Sequence, residues 1–247
     1  MNRIFIFGTG SSINDIKNHQ WSKLQRERTL GISWFFKKEI ETDYYYSHEF
    51  DSQPIEACES LLRNNYKTKV YLGVDHFIGK NRGVIAGPQK AYSEFQNRLT
   101  IKRCKFHDWL QTWNGKIWNS NDKLPPCSFD EIWAKTLDQP LCGFRGTLMA
   151  SINLCTILGY DEIILCGVDL NNGLHFYKSE LSPFEKDLLN NYNPDVQNHS
   201  TQIEYRGSHG ILSGLKWISK YIKLKVATKL SLLYDEGFEY FDLENEI

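Results

Sequence analysis

The chain has 247 residues, of which 41% are hydrophobic and 24% are charged, and its formal net charge is −1 at pH 7. These values are typical of a globular protein with a substantial core, and they argue against nucleic acid as the main partner. The apolar runs are too short to span a bilayer, and Met1–Phe7 lacks the apolar core of a signal peptide, so we expect a cytoplasmic protein. The six cysteines include no Cys-x-x-Cys pair, so we expect no zinc site.

The first predicted elements are a strand at Ile4–Phe7, a glycine turn at Gly8–Ser12 and an amphipathic helix at Ile13–Leu24. This order is typical of the start of a doubly wound nucleotide-binding sheet. The two glycines would let the backbone approach a ligand, and Ser11 or Ser12 could cap the helix. Isoleucine stands where the dinucleotide fingerprint has its third glycine, so the turn alone is weak evidence for a nucleotide.

Three more strands and one helix are predicted in the first third of the chain. The strands are Thr29–Ser33, Thr42–Ser47 and Lys69–Leu72, and the helix covers about Pro54–Arg63. Polar residues stand at the ends of these strands, where the ligands of parallel sheets bind; they are Thr9, Ser33 and Ser47.

Regular patterning fades from about residue 75 to residue 129, where Trp109, Trp113 and Trp118 alternate with polar side chains. Flat aromatic faces beside hydrogen-bonding groups suit a sugar ring, although the same residues could form a small core under a lid. We therefore expect one domain, 1–247, in which residues 75–129 form an insert or lid that contributes to the acceptor side. A short helix is predicted at Asp130–Leu137.

The run from Phe144 to Gly173 is the part of the chain in which we expect the chemistry. Apolar residues at helical spacing predict a helix over Gly146–Leu158 with one apolar face, and Gly159 should end it. Glu162–Val168 lacks alternation, which indicates a strand covered on both faces. At the start of the helix, a cation, a glycine and a hydroxyl (Arg145, Gly146 and Thr147) form a candidate anion site.

The last third of the chain predicts more elements of the same kind. They are a loop and helix around 183–193, a helix at about Ser208–Tyr221, a half-covered edge strand at Ile222–Ala227, and a short helix and strand within Leu230–Phe241. The fold class that follows is α/β, a Rossmann-like, mostly parallel sheet flanked by helices.

Three segments occur in an order that resembles a known family: the glycine turn Ile6–Ser12, the run Arg145–Asp169 with its Leu-Gly-Tyr-Asp-Glu-Ile segment, and a late histidine in a His-Ser-Thr or Gly-Ser-His setting. Together they resemble the small bacterial sialyltransferases of glycosyltransferase family 42 and related transferases of capsule and lipooligosaccharide synthesis. The resemblance implies a modified GT-A-like fold with a lid. It also implies transfer of a nonulosonic acid from a CMP-activated donor to a saccharide or glycolipid acceptor, with no cofactor.

The resemblance assigns a nucleotide-binding set of residues, namely Gly8, Thr9, Gly10, Ser11, Ser33, Ser47, Arg145, Gly146, Thr147, Gly167 and Asn171. The glycine turn would follow the CMP moiety, the serines at 33 and 47 would flank the ribose and cytosine, and the helix start would meet the phosphate or the sugar carboxylate. Asp169 would line the nucleotide, and Tyr177 would steady the departing phosphate. The sialyltransferases have asparagine at the positions of Thr9, Ser33 and Ser47 and tyrosine at that of Asn171, so a Kdo-like donor stays open beside sialic acid.

Transfer needs a base for the acceptor hydroxyl, and histidine is the natural group because its pKa is close to neutral. The candidates are His199, which we favour because it lies in a polar stretch, and His209, which precedes a helix as the base does in the sialyltransferases. Asp169 would be the nucleophile if the reaction retains configuration, and the stereochemical outcome stays open. CMP leaves with one phosphate and the chain has no Asp-x-Asp motif, so we expect activity without a metal.

Three other functions fit parts of the sequence. A pyrophosphokinase of the pterin type would share the central run and would need ATP and Mg²⁺. An NAD-dependent oxidoreductase is disfavoured by the missing third glycine and ribose-binding acid. A glycan-binding module would use the aromatic residues of 109–118 alone. Peripheral association with the inner face of the cytoplasmic membrane and a homo-oligomer are also compatible with the sequence.

Overall fold

The computed structural model describes residues 2–48, 52–75, 87–107, 125, 127–170, 175–177 and 210–247. Within these ranges, nine strands form one sheet: β1 (Arg3–Phe7), β2 (Thr29–Ile32), β3 (Tyr44–Ser47), β4 (Lys69–Asp75), β5 (Ile101–His107), β6 (Leu141–Cys142), β7 (Glu162–Cys166), β8 (Lys223–Val226) and β9 (Glu239–Tyr240). All neighbouring strands are parallel. The α-helices are α1 (Asn18–Leu24), α2 (Gln53–Arg63), α3 (Gly87–Phe95), α4 (Phe129–Ile132), α5 (Thr147–Ile157), α6 (Ile211–Ile218) and α7 (Leu232–Asp235).

The strand order is β6-β5-β4-β3-β2-β1-β7-β8-β9, so the direction in which the sheet grows reverses between β1 and β7. Such a reversal opens a crevice at the carboxyl ends of the two strands, where open α/β sheets bind their ligands. The predicted Rossmann-like, mostly parallel sheet flanked by helices is confirmed.

Both faces of the sheet are covered, as β1 shows residue by residue. Ile4 and Ile6 belong to the core that contains α5 and α6, whereas Phe5 and Phe7 face the opposite core, which contains Trp21 of α1. Alternate side chains of a strand point to opposite faces, so a run that is apolar throughout fills both layers. This is why the short apolar runs of β1 and β7 predict the centre of the sheet.

Several predicted elements differ from the structure. The helix over Ile13–Leu24 is divided into a 3₁₀ turn at Ser11–Asp15 and α1, and neither Ser11 nor Ser12 caps it, because both lie inside the turn. The helix over Asp130–Leu137 is the single turn of α4. In α5, every residue from Thr147 to Cys155 is buried, so the expectation of one apolar face was wrong.

Two further corrections concern the sheet. β8 is not an edge strand, because it pairs with β7 on one side and with β9 on the other. The stretch from 75 to 129 is more regular than predicted, because α3 and β5 lie within it and β5 pairs with β4 and β6. The insert or lid on the acceptor side stays a prediction. The three tryptophans of that stretch and the helix around 183–193 lie outside the described residues.

An ion cluster around the buried Glu162 and Lys225 explains why lysines occur in an interior strand. Lys223 and Lys225 of β8 both approach Glu162 Oε1, at 2.7 and 3.5 Å, and Lys225 also contacts Glu239 at 2.7 Å. Burial alone raises the pKa of the Glu162 carboxyl, but the hydrogen bond from Lys223 and the charge of Lys225 outweigh it, and the pKa lies below its usual value. The carboxylate is therefore held in its charged form.

Replacing Glu162 with glutamine is expected to destabilise the protein by about 1–3 kcal/mol at neutral pH, because it leaves two ammonium groups facing a neutral amide. Since the pKa of Glu162 is lowered by folding, its contribution is fully present above the ordinary value of 4.5 and is lost as the pH falls below it. Urea unfolding at pH 7 and pH 3.5 should therefore show a difference between wild type and Glu162→Gln that shrinks in acid.

The matched control for this substitution is Asp130→Asn, which breaks an ion pair with Lys135 in which both partners are largely exposed. Exposed pairs contribute about 0–1 kcal/mol, so this variant should unfold close to wild type at both pH values. Equal effects of the two substitutions would contradict a special role for the buried cluster.

Candidate functional site

The site begins where β1 and β7 end side by side. The two strands pair in parallel up to Phe7 and Cys166, and the chain then continues into a loop from each strand. The Gly8 N–H donates to the Cys166 carbonyl at 2.8 Å, and the Gly10 N–H donates to the Gly167 carbonyl at 2.7 Å. Two segments far apart in the sequence thus form one surface at the point where the strand order reverses.

The glycines of this surface are explained by contact between the two loops. A Cβ on Gly8 would stand 2.5 Å from the Gly167 carbonyl oxygen, and a Cβ on Gly10 would stand 2.6 Å from the Asp169 carboxyl group. Gly167 itself has φ of 66°, a conformation that favours glycine. The close approach that the sequence suggested therefore takes place between the loops, and the alignment of these glycines with a CMP moiety stays a prediction.

Asp169 holds the two loops together. It is buried, and its Oδ2 accepts the Ser12 N–H at 3.0 Å and the Ser11 hydroxyl at 3.3 Å, while Oδ1 accepts the Ser12 hydroxyl. Its own carbonyl accepts the Leu232 N–H at 2.8 Å, which ties the loop to the start of α7. The carboxylate thus has the contacts of a positioning group, and its role as a nucleophile stays a prediction.

A short segment after the β7 loop packs on the glycine turn, and together with the two loops it forms the first polar cluster of the site. His175 pairs with Gly10 in an antiparallel bridge, and the Phe176 N–H donates to the Thr9 carbonyl at 3.1 Å. The Thr9 hydroxyl lies 3.0 Å from His175 Nδ1. The imidazole is stacked on Tyr177 with 5.2 Å between ring centroids and 16° between planes. Tyr177, predicted at the phosphate, is buried in this cluster.

A second polar cluster lies at the end of β3 and the start of α5. His48 is buried, with its Nδ1 3.2 Å from the Tyr46 hydroxyl and its Nε2 3.4 Å from the Thr147 hydroxyl. Arg145, also buried, precedes the helix by two residues with a left-handed φ of 59°, and Gly146 follows with φ of 133°. The first turn of α5 contains no acidic residue. Together with a cation and an imidazole, this helix start can accommodate an anionic group.

Three of the five non-glycine residues with a left-handed φ in the described part of the chain lie at this edge of the sheet, and the other two, Glu39 and Asn65, follow helices. Ser33, Arg145 and Leu170 are non-glycine residues with φ of 51°, 59° and 62°, and each lies in a segment that follows the carboxyl end of a strand. Such conformations cost about 1–3 kcal/mol each and are typical of functional sites. The Ser33 carbonyl accepts the Tyr45 hydroxyl at 2.5 Å, which helps to hold that conformation.

The structure therefore sorts the predicted site residues into groups. The first cluster contains Gly8, Thr9, Gly10, Ser11, Gly167, Asp169 and Tyr177, and the second contains Arg145, Gly146 and Thr147. The Ser47 hydroxyl is buried and donates to Gln53 Oε1 of α2. Asn171, His199 and His209 lie outside the described residues, and their roles stay predictions.

Sequence reasoning missed two histidines as site residues. The sequence alone assigns no role to His175 or His48, because a single histidine carries little information. The signal that could have found them is position, since His48 directly follows β3 and His175 follows the β7 loop, both at the edge where ligands bind.

Two general properties of the described residues bear on the class of protein. Among them, no group of three or more His, Cys, Asp or Glu side chains is arranged to hold a metal ion. None of the helices in this part of the chain has the length and apolar character needed to cross a bilayer.

Comparison with known proteins gives a distant structural likeness. No family model matches the chain, and no curated protein matches it. Among solved structures, the chain is similar to the MAf glycosyltransferase from Magnetospirillum magneticum AMB-1, with 14% sequence identity and a TM-score of 0.41. The match covers 69% of this chain and 23% of that protein, so the chain spans only a small part of its length.

Proposed function

We propose that the protein is a glycosyltransferase that moves a nonulosonic acid, sialic acid or a Kdo-like sugar, from a CMP-activated donor to a saccharide hydroxyl. The observation that carries the proposal is the convergence of the β1 and β7 loops at the reversal of strand order. Ser12 and Asp169 are 157 positions apart and hydrogen-bonded. The family resemblance assigns these two loops to one nucleotide, and their juxtaposition supports that assignment.

The spacing of the two polar clusters suits a donor of this kind. Neighbouring strands lie about 4.8 Å apart, so the ends of β1 and β3, which flank β2, are separated by roughly 10 Å. A CMP-sugar has that reach and carries two anionic groups, the phosphate and the sugar carboxylate. We assign the nucleotide to the cluster of Thr9 and Ser11, and one anionic group to Arg145 and Thr147.

Chemistry in such a site needs charge stabilisation and one proton transfer. As the bond between the anomeric carbon and the phosphate breaks, negative charge grows on the leaving CMP, and fixed donors that face it lower the barrier. Arg145 and the first turn of α5 would provide positive potential, and the left-handed φ of Arg145 is a strained backbone conformation of the kind found at functional sites. The acceptor hydroxyl must lose a proton to a nearby base.

Binding of CMP to the protein tests the proposal. The full chain should be stabilised by CMP in EDTA, and at about 100 times the dissociation constant the gain is about 2.7 kcal/mol. For a chain of this size that corresponds to a melting-temperature rise of roughly 5–10 °C. UDP, GDP and NAD at the same concentration should give little change. CMP-Neu5Ac and CMP-Kdo are the donors to test next.

The same assay discriminates the alternative enzyme class. A response confined to ATP with Mg²⁺, with no response to CMP, would sink the transferase proposal and support a pyrophosphokinase of the pterin type. The saccharide or glycolipid acceptor, the homo-oligomer and the association with a membrane stay predictions, and this assay does not address them.

A further inference from the structure

His175 has a firmly fixed backbone at the centre of the candidate site. Its antiparallel bridge with Gly10 and the hydrogen bond from the Phe176 N–H to the Thr9 carbonyl attach it to the glycine turn on both sides. The glycine turn is itself hydrogen-bonded to the end of β7 and its loop through Gly8 and Gly10. The side chain therefore starts from a position that the sheet itself determines.

The imidazole is also held in orientation. Tyr177 forms a buried flat surface beneath it, at 5.2 Å and 16°, and Trp34 lies 6.0 Å beyond Tyr177. Thr9 Oγ1 contacts Nδ1 at 3.0 Å and holds that side of the ring. In the tautomer with the proton on Nδ1, the Nδ1–H donates to the threonine oxygen and Nε2 has the lone pair. A base needs this tautomer.

We infer that His175 is the catalytic base of the transfer and that Thr9 positions it; this inference rests on the proposed function. The acceptor O–H gives its proton to His175 Nε2 as the acceptor oxygen forms a bond to the anomeric carbon. The bond from that carbon to the phosphate oxygen breaks, and its electron pair leaves with CMP. Nε2 then releases the proton to water, so atoms and charge balance.

The other described histidine side chains are less suited to this role. His48 is buried between the hydroxyls of Tyr46 and Thr147. His19 lies in α1 and is paired with Glu244 at 2.8 Å. His175 is half-buried, whereas His48 is buried. Among the described residues, the titratable Tyr177 lies beneath the ring, and Asp169 is hydrogen-bonded to the serines of the turn that His175 pairs with.

The experiment uses the full chain with CMP-Neu5Ac and CMP-Kdo and measures release of CMP, with water as the acceptor. His175→Asn should lower kcat by about 10²–10⁴-fold, the usual contribution of a general base, with KM for the donor nearly unchanged. Its melting-temperature shift with CMP should match that of wild type. The control is His19→Asn, which removes an exposed histidine and should stay within twofold of wild type in kcat.

The pH profile gives a second readout that does not depend on folding of the His175 variant. Wild-type kcat should fall on the acid side as the imidazole becomes protonated, because a protonated imidazole cannot accept the proton of the acceptor. Thr9→Val removes the acceptor for Nδ1–H and so disfavours the imidazolium, which should move that acid limb to lower pH. A flat wild-type profile from pH 5 to 8 would overturn the inference.

Two outcomes separate this inference from the proposed function. If His175→Asn binds CMP and releases it from the donor at the wild-type rate, His175 is not the base, and the proposed function stands. The same conclusion follows if the loss appears only in His199→Asn or His209→Asn. If wild type is not stabilised by CMP, the proposed function itself fails, and the role of His175 fails with it.

Discussion

Replacement of Asn153 by leucine is expected to destabilise the protein by about 3–5 kcal/mol, a large effect for one substitution. Asn153 lies within α5 and is fully buried. Its Oδ1 accepts the N–H groups of Ala134 and Cys142 at 3.1 and 2.9 Å, and its Nδ2 donates to the Ala134 carbonyl at 2.8 Å. One amide thus satisfies three backbone groups that water does not reach.

The cost arises because leucine fills the same space but leaves those three groups without partners. A buried donor or acceptor that loses its partner costs about 1–3 kcal/mol, and the added apolar burial of leucine offsets only part of the sum. β6 has just two residues, and one of them, Cys142, donates to Asn153. Loss of that contact should therefore also loosen the segment between β6 and α5, where Arg145 lies.

Thermal and urea unfolding of Asn153→Leu should show a melting temperature lower by roughly 10 °C. Ser151→Ala is the matched control on the same helix, since Ser151 is fully buried but its hydroxyl only donates back to the Thr147 carbonyl at 2.8 Å. That variant should lie within about 1 kcal/mol of wild type. A leucine variant as stable as the alanine variant would show that the amide does not hold β6.

The centre of the sheet could be predicted from the sequence because its signals are local. Apolar runs at Ile4–Phe7 and Glu162–Val168 indicate buried parallel strands, and Gly159, with φ of 90°, ends α5 as expected. β5 was missed because Lys102, Arg103 and Lys105 are exposed and interrupt its apolar pattern. β5 belongs to the sheet because it pairs with β4 and β6, and sequence periodicity does not reveal such pairing.

The prediction that β8 is an edge strand was wrong for a different reason. Alternation of lysine with apolar residues is typical of an edge strand that has one face in water. Here Lys225 is buried, because Glu162 and Glu239 on neighbouring strands neutralise it. The counter-charges come from positions far along the chain, so the local pattern could not reveal them.

The candidate site shows the same division between local and distant causes. The glycine turn and the β7 loop were predicted from their residue types, yet the reason for the glycines is the packing of one loop on the other. His175 was not singled out, because the hydroxyl beside it belongs to Thr9, 166 positions away. The sequence therefore predicts which residue types lie at the carboxyl edge of the sheet. The strand order determines which of these residues contact one another.

Asp169 gives the second large expected effect, and two substitutions separate its possible roles. Asp169→Ala should cost about 2–4 kcal/mol, because the buried Ser12 N–H loses its acceptor and the serine hydroxyls lose theirs. Asp169→Asn should cost about 1 kcal/mol, since its oxygen can accept the Ser12 N–H while its NH₂ donates to the Ser12 hydroxyl, which is able to rotate. Urea unfolding measures both values.

The prediction for the site follows from the same hydrogen bonds. If Asp169 only positions the loops, the asparagine variant should bind CMP and release it from CMP-Neu5Ac or CMP-Kdo at a rate within about tenfold of wild type, whereas the alanine variant should lose CMP affinity. A nucleophile requires the carboxylate itself, so an asparagine variant that is stable and binds CMP but has lost more than about 10³-fold in rate would contradict the positioning role.

In a double-mutant cycle, Ser12→Ala should cost less in the Asp169→Ala background than in wild type, because both substitutions remove the same contact between the β1 and β7 loops.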